Sequence, residues 1–108
     1  MPLGRKLDVV DSLMVVGTLE LVLRLHGIHS LKEKRHAIRG LIEKCRREFG
    51  VSISEVDDHD LWGNSTIGVA YVHASNVQAE AVLQRVLELF ESAPEMTVDQ
   101  FALNFQRT

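Results

Sequence analysis

The chain has 108 residues, 45% of them apolar and 25% charged, with a formal net charge of −3, which matches one ordinary globular domain able to bury a modest core without staples. No apolar run approaches the roughly 20 residues that cross a bilayer, and the first dozen residues lack the apolar region of a secretory signal, so the expected setting is cytoplasmic, with no membrane partner. Cys45 is the one cysteine, which excludes an intrachain disulfide, and its place among the apolar positions of a helix reads as a small buried hydrophobe rather than a nucleophile.

Residues 1–13 mix charges, include Pro2 and Gly4 and show no sustained period, so they read as a mobile arm ahead of a single domain over residues 14–108. From Val15 to Leu25 the alternation is clear: Leu19, Leu21, Leu23 and Leu25 point one way and Thr18, Glu20, Val22 and Arg24 the other, as in a long strand with one buried face. Ser30 stands three residues before Glu33, the spacing of a capping box in which Ser30 accepts from the N–H of Glu33 and Glu33 reaches back to the N–H of Ser30. The helix so begun carries Leu31, Ile38, Leu41, Ile42, Cys45 and Phe49 at helical spacing and stops at Gly50, a natural left-handed terminator. Val51 and Ile53 against Ser52 and Ser54 predict a short strand ending near Val56.

A polar hairpin connection over residues 57–65 follows, with Gly63-Asn64 as its turn signal. A strand is then expected from about Thr66 to Ala74. Ser75 and Gln78 form a second capping box, opening a helix to about Ser92 with Val82, Val86, Leu89 and Phe90 inward and Pro94 beyond its end. Residues 96–105 close the chain as a strand with Phe101, Leu103 and Phe105 on one face.

The order β-α-β-β-α-β, joined by right-handed crossovers, predicts a ferredoxin-like α/β sandwich of the α+β kind, a four-stranded antiparallel sheet with both helices on one side. Leu19, Leu21, Leu23, Ile67, Val69, Tyr71, Phe101 and Leu103 would face the helices. The other face would present Thr18, Glu20, Val22, Arg24, Ser52, Ser54, Val98, Gln100 and Asn104. That face is too mixed for a core yet more apolar in places than a solvated face requires, which points to pairing with a second copy, by face or by edge strand.

Val16-Gly17-Thr18-Leu19-Glu20-Leu21, the segment 29–35, Val51-Ser52-Ile53-Ser54-Glu55-Val56-Asp57, Asp60-Leu61-Trp62 and Ile67-Gly68-Val69-Ala70 occur in that order. Through them the chain resembles the YlxP-like family, small bacterial proteins classed as a domain of unknown function, over about residues 14–105. The resemblance implies a ferredoxin-like fold, a homodimer, and a gene often found beside those for a translation initiation factor and a ribosome-binding factor. It implies no established reaction. Family members usually begin near Met14, so the preceding arm is an extension or a matter of start-site choice.

Charge is strongly polarised along the chain. Residues 30–49 hold seven positive and three negative side chains, a balance of +4 that leaves −7 for the remainder. On a helical wheel Lys32, Arg35, His36, Arg39, Arg46 and Arg47 fall within a sector of roughly 120° beside the apolar stripe. Such a stripe suits a phosphate backbone, and RNA or a ribosomal particle is the partner it would take; the alternative is a solvated face whose cations pair with Glu43 and the acidic remainder. An RNA-recognition motif on this topology needs aromatics on the open sheet face to stack bases; none is available there and Tyr71 points to the core, so RNA binding would run through the first helix and the loops.

Glu55, Asp57, Asp58, His59 and Asp60 are the other dense constellation. Carboxylates beside an imidazole suit a hard divalent ion, but the spacing fits no known metal loop, and an aspartate-rich hairpin tip also forms Asx-turns in water. Trp62, with Asp57 and Asp60 nearby in sequence, reads either as a cover for the end of the core or as a partner-binding anchor. His26 and His29 are three apart with no further His or Cys ligand near them, which favours a hydrogen-bonded turn over zinc. No phosphate loop, nucleophile elbow or dinucleotide fingerprint is present, and no cofactor is expected. Three functions remain open: an RNA- or ribosome-associated binding module using the basic helix face, a dimeric protein-interaction module, and a metal-dependent hydrolase using Glu55, Asp57 and Asp60.

Overall fold

A computed structural model describes residues 4–6 and 13–107; the arm expected over residues 1–13 falls for the most part outside them. The elements run β1 (Val15–Leu25), α1 (Leu31–Phe49), β2 (Ser52–Asp57), β3 (Asn64–His73), α2 (Asn76–Glu91) and β4 (Met96–Arg107). The four strands form one sheet in the order β2-β3-β1-β4, and all its pairings are antiparallel. This is the ferredoxin-like sandwich that the hydrophobic periods predict.

The core lies between the sheet and the helices. Leu19, Leu21 and Leu23 of β1 and Ile67 and Val69 of β3 are buried against Ile38 and Cys45 of α1 and Leu83, Val86, Leu87 and Phe90 of α2. α2 lies over β1, β3 and β4, and α1 lies over β2, so α1 forms one flank of the molecule beside an edge strand. Close approach of α2 to the sheet depends on Gly17: a Cβ there would stand 2.8 Å from Leu83 Cδ1 and 2.9 Å from Phe105 Cε1.

Both helix caps differ from the expected reciprocal boxes. Ser30 Oγ accepts from the N–H of Glu33 at 3.1 Å, but Glu33 Oε2 takes the N–H of His29 at 2.7 Å, not that of Ser30. At α2, Ser75 Oγ accepts from the N–H of Gln78, whereas the N–H of Ser75 goes to His73 Nδ1 at 2.8 Å. Gly50 ends α1 with φ at 65° and donates its N–H to the Arg46 carbonyl, the left-handed cap that glycine adopts without a Cβ clash.

Two expectations for β4 are corrected, one by a bulge and one by the strand's edge position. The β1–β4 register shifts between Val22 and Leu23, so that Val22 pairs with Gln100 but Leu23 pairs with Val98. One extra residue in β4, Asp99, flips the alternation there. Val98, expected on the open face, therefore shares the inner face with Leu23 and packs against the core. Phe101, expected in the core, lies opposite Leu21 but is 52% exposed on the edge strand. The β2–β3 turn also sits elsewhere than at Gly63-Asn64: the N–H of Leu61 closes on the carbonyl of Asp58 at 3.1 Å, with Asp58 at a φ of 63°, and Asn64 already belongs to β3.

Candidate nucleic-acid interface

The outer face of α1 begins with what its inner face does. Lys34 shares the inner sector with Ile38 and Cys45 and is only 1% exposed. Its Nζ donates to the carbonyls of Asp58 and Leu61 and stands 2.9 Å from Glu55 Oε2, which also accepts from Ser65 Oγ at 2.6 Å. A buried ammonium is tolerable only with a counter-charge and a filled hydrogen-bond shell, and here both are supplied. The cluster fastens the β2–β3 connection to the first turn of α1. It consumes one cation of the basic helix and turns the remaining ones outward by the helical period.

Lys32, Arg35, His36, Arg39, Arg46 and Arg47 are all exposed. Among the described residues the ion pairs are Arg24 with Asp99 and Lys34 with Glu55; neither involves this face. Arg46 spends one N–H on the Ile53 carbonyl, at 2.8 Å, which leaves the rest of its five-donor fork. Lys32, Arg35, His36 and Arg39 line one shallow recess. Around the flank, Arg35, Arg39 and Arg46 join Ile38, Ile42 and Ser54 in a groove of about 230 Å³ between α1 and β2. The arginines thus border a mixed floor beside a sheet edge, in which Ile38 and Ile42 lie next to the Lys34–Glu55 pair. Arg47 is exposed near the C-terminus of α1, with Arg46 in the last turn, where cations also suit the helix dipole.

The acidic constellation is brought together as a loop structure. Asp57 Oδ1 accepts the N–H of Asp58 at 2.8 Å, Asp58 Oδ2 accepts from Thr66 Oγ1 at 3.2 Å, and His59 Nε2 lies 3.1 Å from the Glu55 carbonyl. Glu55 is occupied by Lys34 and Ser65. Among the described residues no three His, Cys, Asp or Glu side chains converge to hold a metal ion, so Glu55, Asp57 and Asp60 are not assembled as a hydrolase site would need. His26 and His29 part company as well: His26 Nε2 is 2.6 Å from Thr97 Oγ1, while His29 lies beside Trp62 with ring centroids 6.2 Å apart. Trp62 is 45% exposed and its neighbour Leu61 51%, so the indole does not close the core.

Lys34 is a buried anchor that the charge count over residues 30–49 does not set apart from the other cations. The signal lay in its helical position, four residues before Ile38 and eleven before Cys45, which puts it on the apolar sector. Burial also raises the Cys45 thiol from its ordinary 9.0 to about 11, with the nearby Glu48 carboxylate adding to the rise and Lys44 opposing it. Such a thiol is inert at neutral pH.

Fold and site together define a ferredoxin-like sandwich with one cationic outer helix, a class with no fixed activity. The chain belongs to the family described as Protein of unknown function (DUF503), whose model matches residues 16–102. It is 38% identical over 82 residues to the uncharacterized protein YlxP of Bacillus subtilis (strain 168), covering 76% of this chain and 89% of that one. Among solved structures, the de novo designed protein Foldit4 aligns with a TM-score of 0.51 at 13% identity, over 88% of this chain and 98% of that one. A hydantoinase/carbamoylase family amidase from Burkholderia ambifaria aligns with a TM-score of 0.51 at 12% identity, over 91% of this chain but 29% of its own. At such identities both likenesses show the fold alone. No helix among the described residues is long and apolar enough to cross a membrane.

Proposed function

We propose that this protein is a non-enzymatic cytoplasmic binding module, a homodimer that holds single-stranded RNA or an RNA-bearing ribosomal particle on the outer face of α1. The observation that carries this reading is the absence of ion pairing, among the described residues, for Lys32, Arg35, Arg39 and Arg47 in a chain that carries 15 acidic side chains. In a molecule of net charge −3, four cations left unneutralised on one face form a local positive field that attracts phosphate. The open sheet face gives no stacking platform: its register positions include Thr18, Ala70, Gly68, Ser54, Ala102 and Asn104. Contacts of this type follow the backbone and carry little base preference.

The test is sedimentation of cell extract through a density gradient at two ionic strengths. The reading expects comigration with ribosomal particles at low salt and release at high salt. Free migration at both salts contradicts it. A second reading, capture of a polypeptide by the β2–β3 connection, is favoured by the adjacent exposed Leu61 and Trp62 on a loop anchored through Lys34, with Asp57 and Asp60 at its rim; that binding would be insensitive to salt and lost on Trp62→Ala.

A further inference from the structure

The two edges of the sheet are treated differently. On β2 the Ile53 carbonyl accepts from Arg46, and the Glu55 carbonyl bonds Ser54 Oγ and His59 Nε2, so that edge is capped by the chain's own side chains. β4 is the other edge and is twice as long, 12 residues against six. Over residues 100–106 it contains no charged residue and no proline, and no described segment pairs with its outer side. Bare, long, uncharged edges are templates for another strand, and monomeric proteins normally blunt them. Phe101, on this stretch, is 52% exposed and stands outside the core cluster, although its register partner is the fully buried Leu21.

The sequence of the edge says what it pairs with. Residues 100–106 read Gln-Phe-Ala-Leu-Asn-Phe-Gln, which is nearly the same in both directions about Leu103. An antiparallel two-fold axis at Leu103 sets Gln100 against Gln106 of a second copy and Phe101 against Phe105, so amide meets amide and ring meets ring. Only a self-pairing strand gains from such a palindrome, because a two-fold interface brings each residue to the position mirrored across the axis. We propose that β4 joins β4 of a second copy in this register, producing a continuous eight-stranded antiparallel sheet. The claim rests on the homodimer reading above and names its seam. Phe105 is already seated over Gly17, so the incoming Phe101 ring meets a fixed partner and its own exposed surface is covered, an aromatic cross-strand pair repeated on both sides of the axis. Both α1 helices stay clear of this seam, because β2, not β4, lies beneath α1.

Analytical ultracentrifugation of the full chain, with disulfide trapping, tests it. The wild type sediments as a dimer, and Phe101→Lys, at an exposed position, weakens that dimer about tenfold or more while keeping its circular dichroism. Leu103→Cys, placed on the axis, comes within disulfide reach of its own copy and forms a covalent dimer under mild oxidation, whereas Gln106→Cys, remote from its copy, does not. A wild type that stays monomeric at high concentration overturns the homodimer reading itself. A wild-type dimer unaffected by Phe101→Lys and not trapped by Leu103→Cys overturns this seam alone.

Discussion

Lys34 joins two parts of the chain that lie far apart in sequence. Its ammonium binds the carbonyls of Asp58 and Leu61 and pairs with Glu55, while Ser65 holds the same carboxylate from β3. Removing one partner of a buried ion pair leaves the other charge uncompensated, which typically costs about 3 kcal/mol. Lys34→Met is therefore expected to lower stability in urea denaturation by about that amount, and Lys34→Met combined with Glu55→Gln to recover part of it. Cys45 gives a second residue-level prediction. Its thiol is neutral when protonated and its folded pKa, about 11, exceeds the ordinary 9.0, so the folded state retains the proton longer than the unfolded chain. Its contribution to stability is whole below pH 9 and declines as pH rises toward 11. Thiol labelling at pH 8 should be slow in the native protein and fast in denaturant. The inward places of Lys34 and Glu55 were legible from the helical period and from the alternation Val51, Ile53, Glu55. Their charges masked them, because a count of cations along a helix does not ask which side each one faces.

At the scale of elements, the strong hydrophobic periods made the architecture readable. β1 and α1 occupy the residues their patterns predict, since Leu at every second position and a Ser cap before a periodic run each admit few alternatives. What escaped was the bulge at Asp99. An inserted residue leaves no mark on composition, yet it moved Val98 inward, while the edge position of β4 left Phe101 exposed. The hairpin turn escaped for a related reason: Gly63-Asn64 is a strong local signal, but Leu25 donates its N–H to the Gly63 carbonyl, so Gly63 is drawn into contact with β1 and the reversal falls at Asp58–Leu61. The cap itself is testable. Ser30→Ala removes the acceptor for the Glu33 N–H and should reduce stability by about 1 kcal/mol, seen as a lower melting temperature. Ser30→Asp restores the acceptor and should recover most of the loss.

Across the whole molecule the fold separates three surfaces. α1 presents its cations on one flank, the β2–β3 connection displays Leu61 and Trp62 at one end, and β4 leaves a bare edge on the flank opposite β2. Sequence made the first surface visible as a charge excess, and the structure leaves Arg35 and Arg39 exposed while it buries Lys34. The third was hidden because an edge is a property of strand order, which periodicity does not encode. A β4 seam would place the two cationic flanks at the outer ends of a continuous sheet, each free to bind. The central claim is that the α1 face binds phosphate through unpaired cations, and fluorescence anisotropy with a labelled single-stranded RNA across a salt series tests it most directly. With about four phosphate contacts, log affinity should fall against log salt with a slope near −3, and Arg35→Glu/Arg39→Glu should flatten that slope by about 1.4 and weaken binding at low salt. Binding that ignores salt, or a double variant that binds RNA as the wild type does, would contradict it.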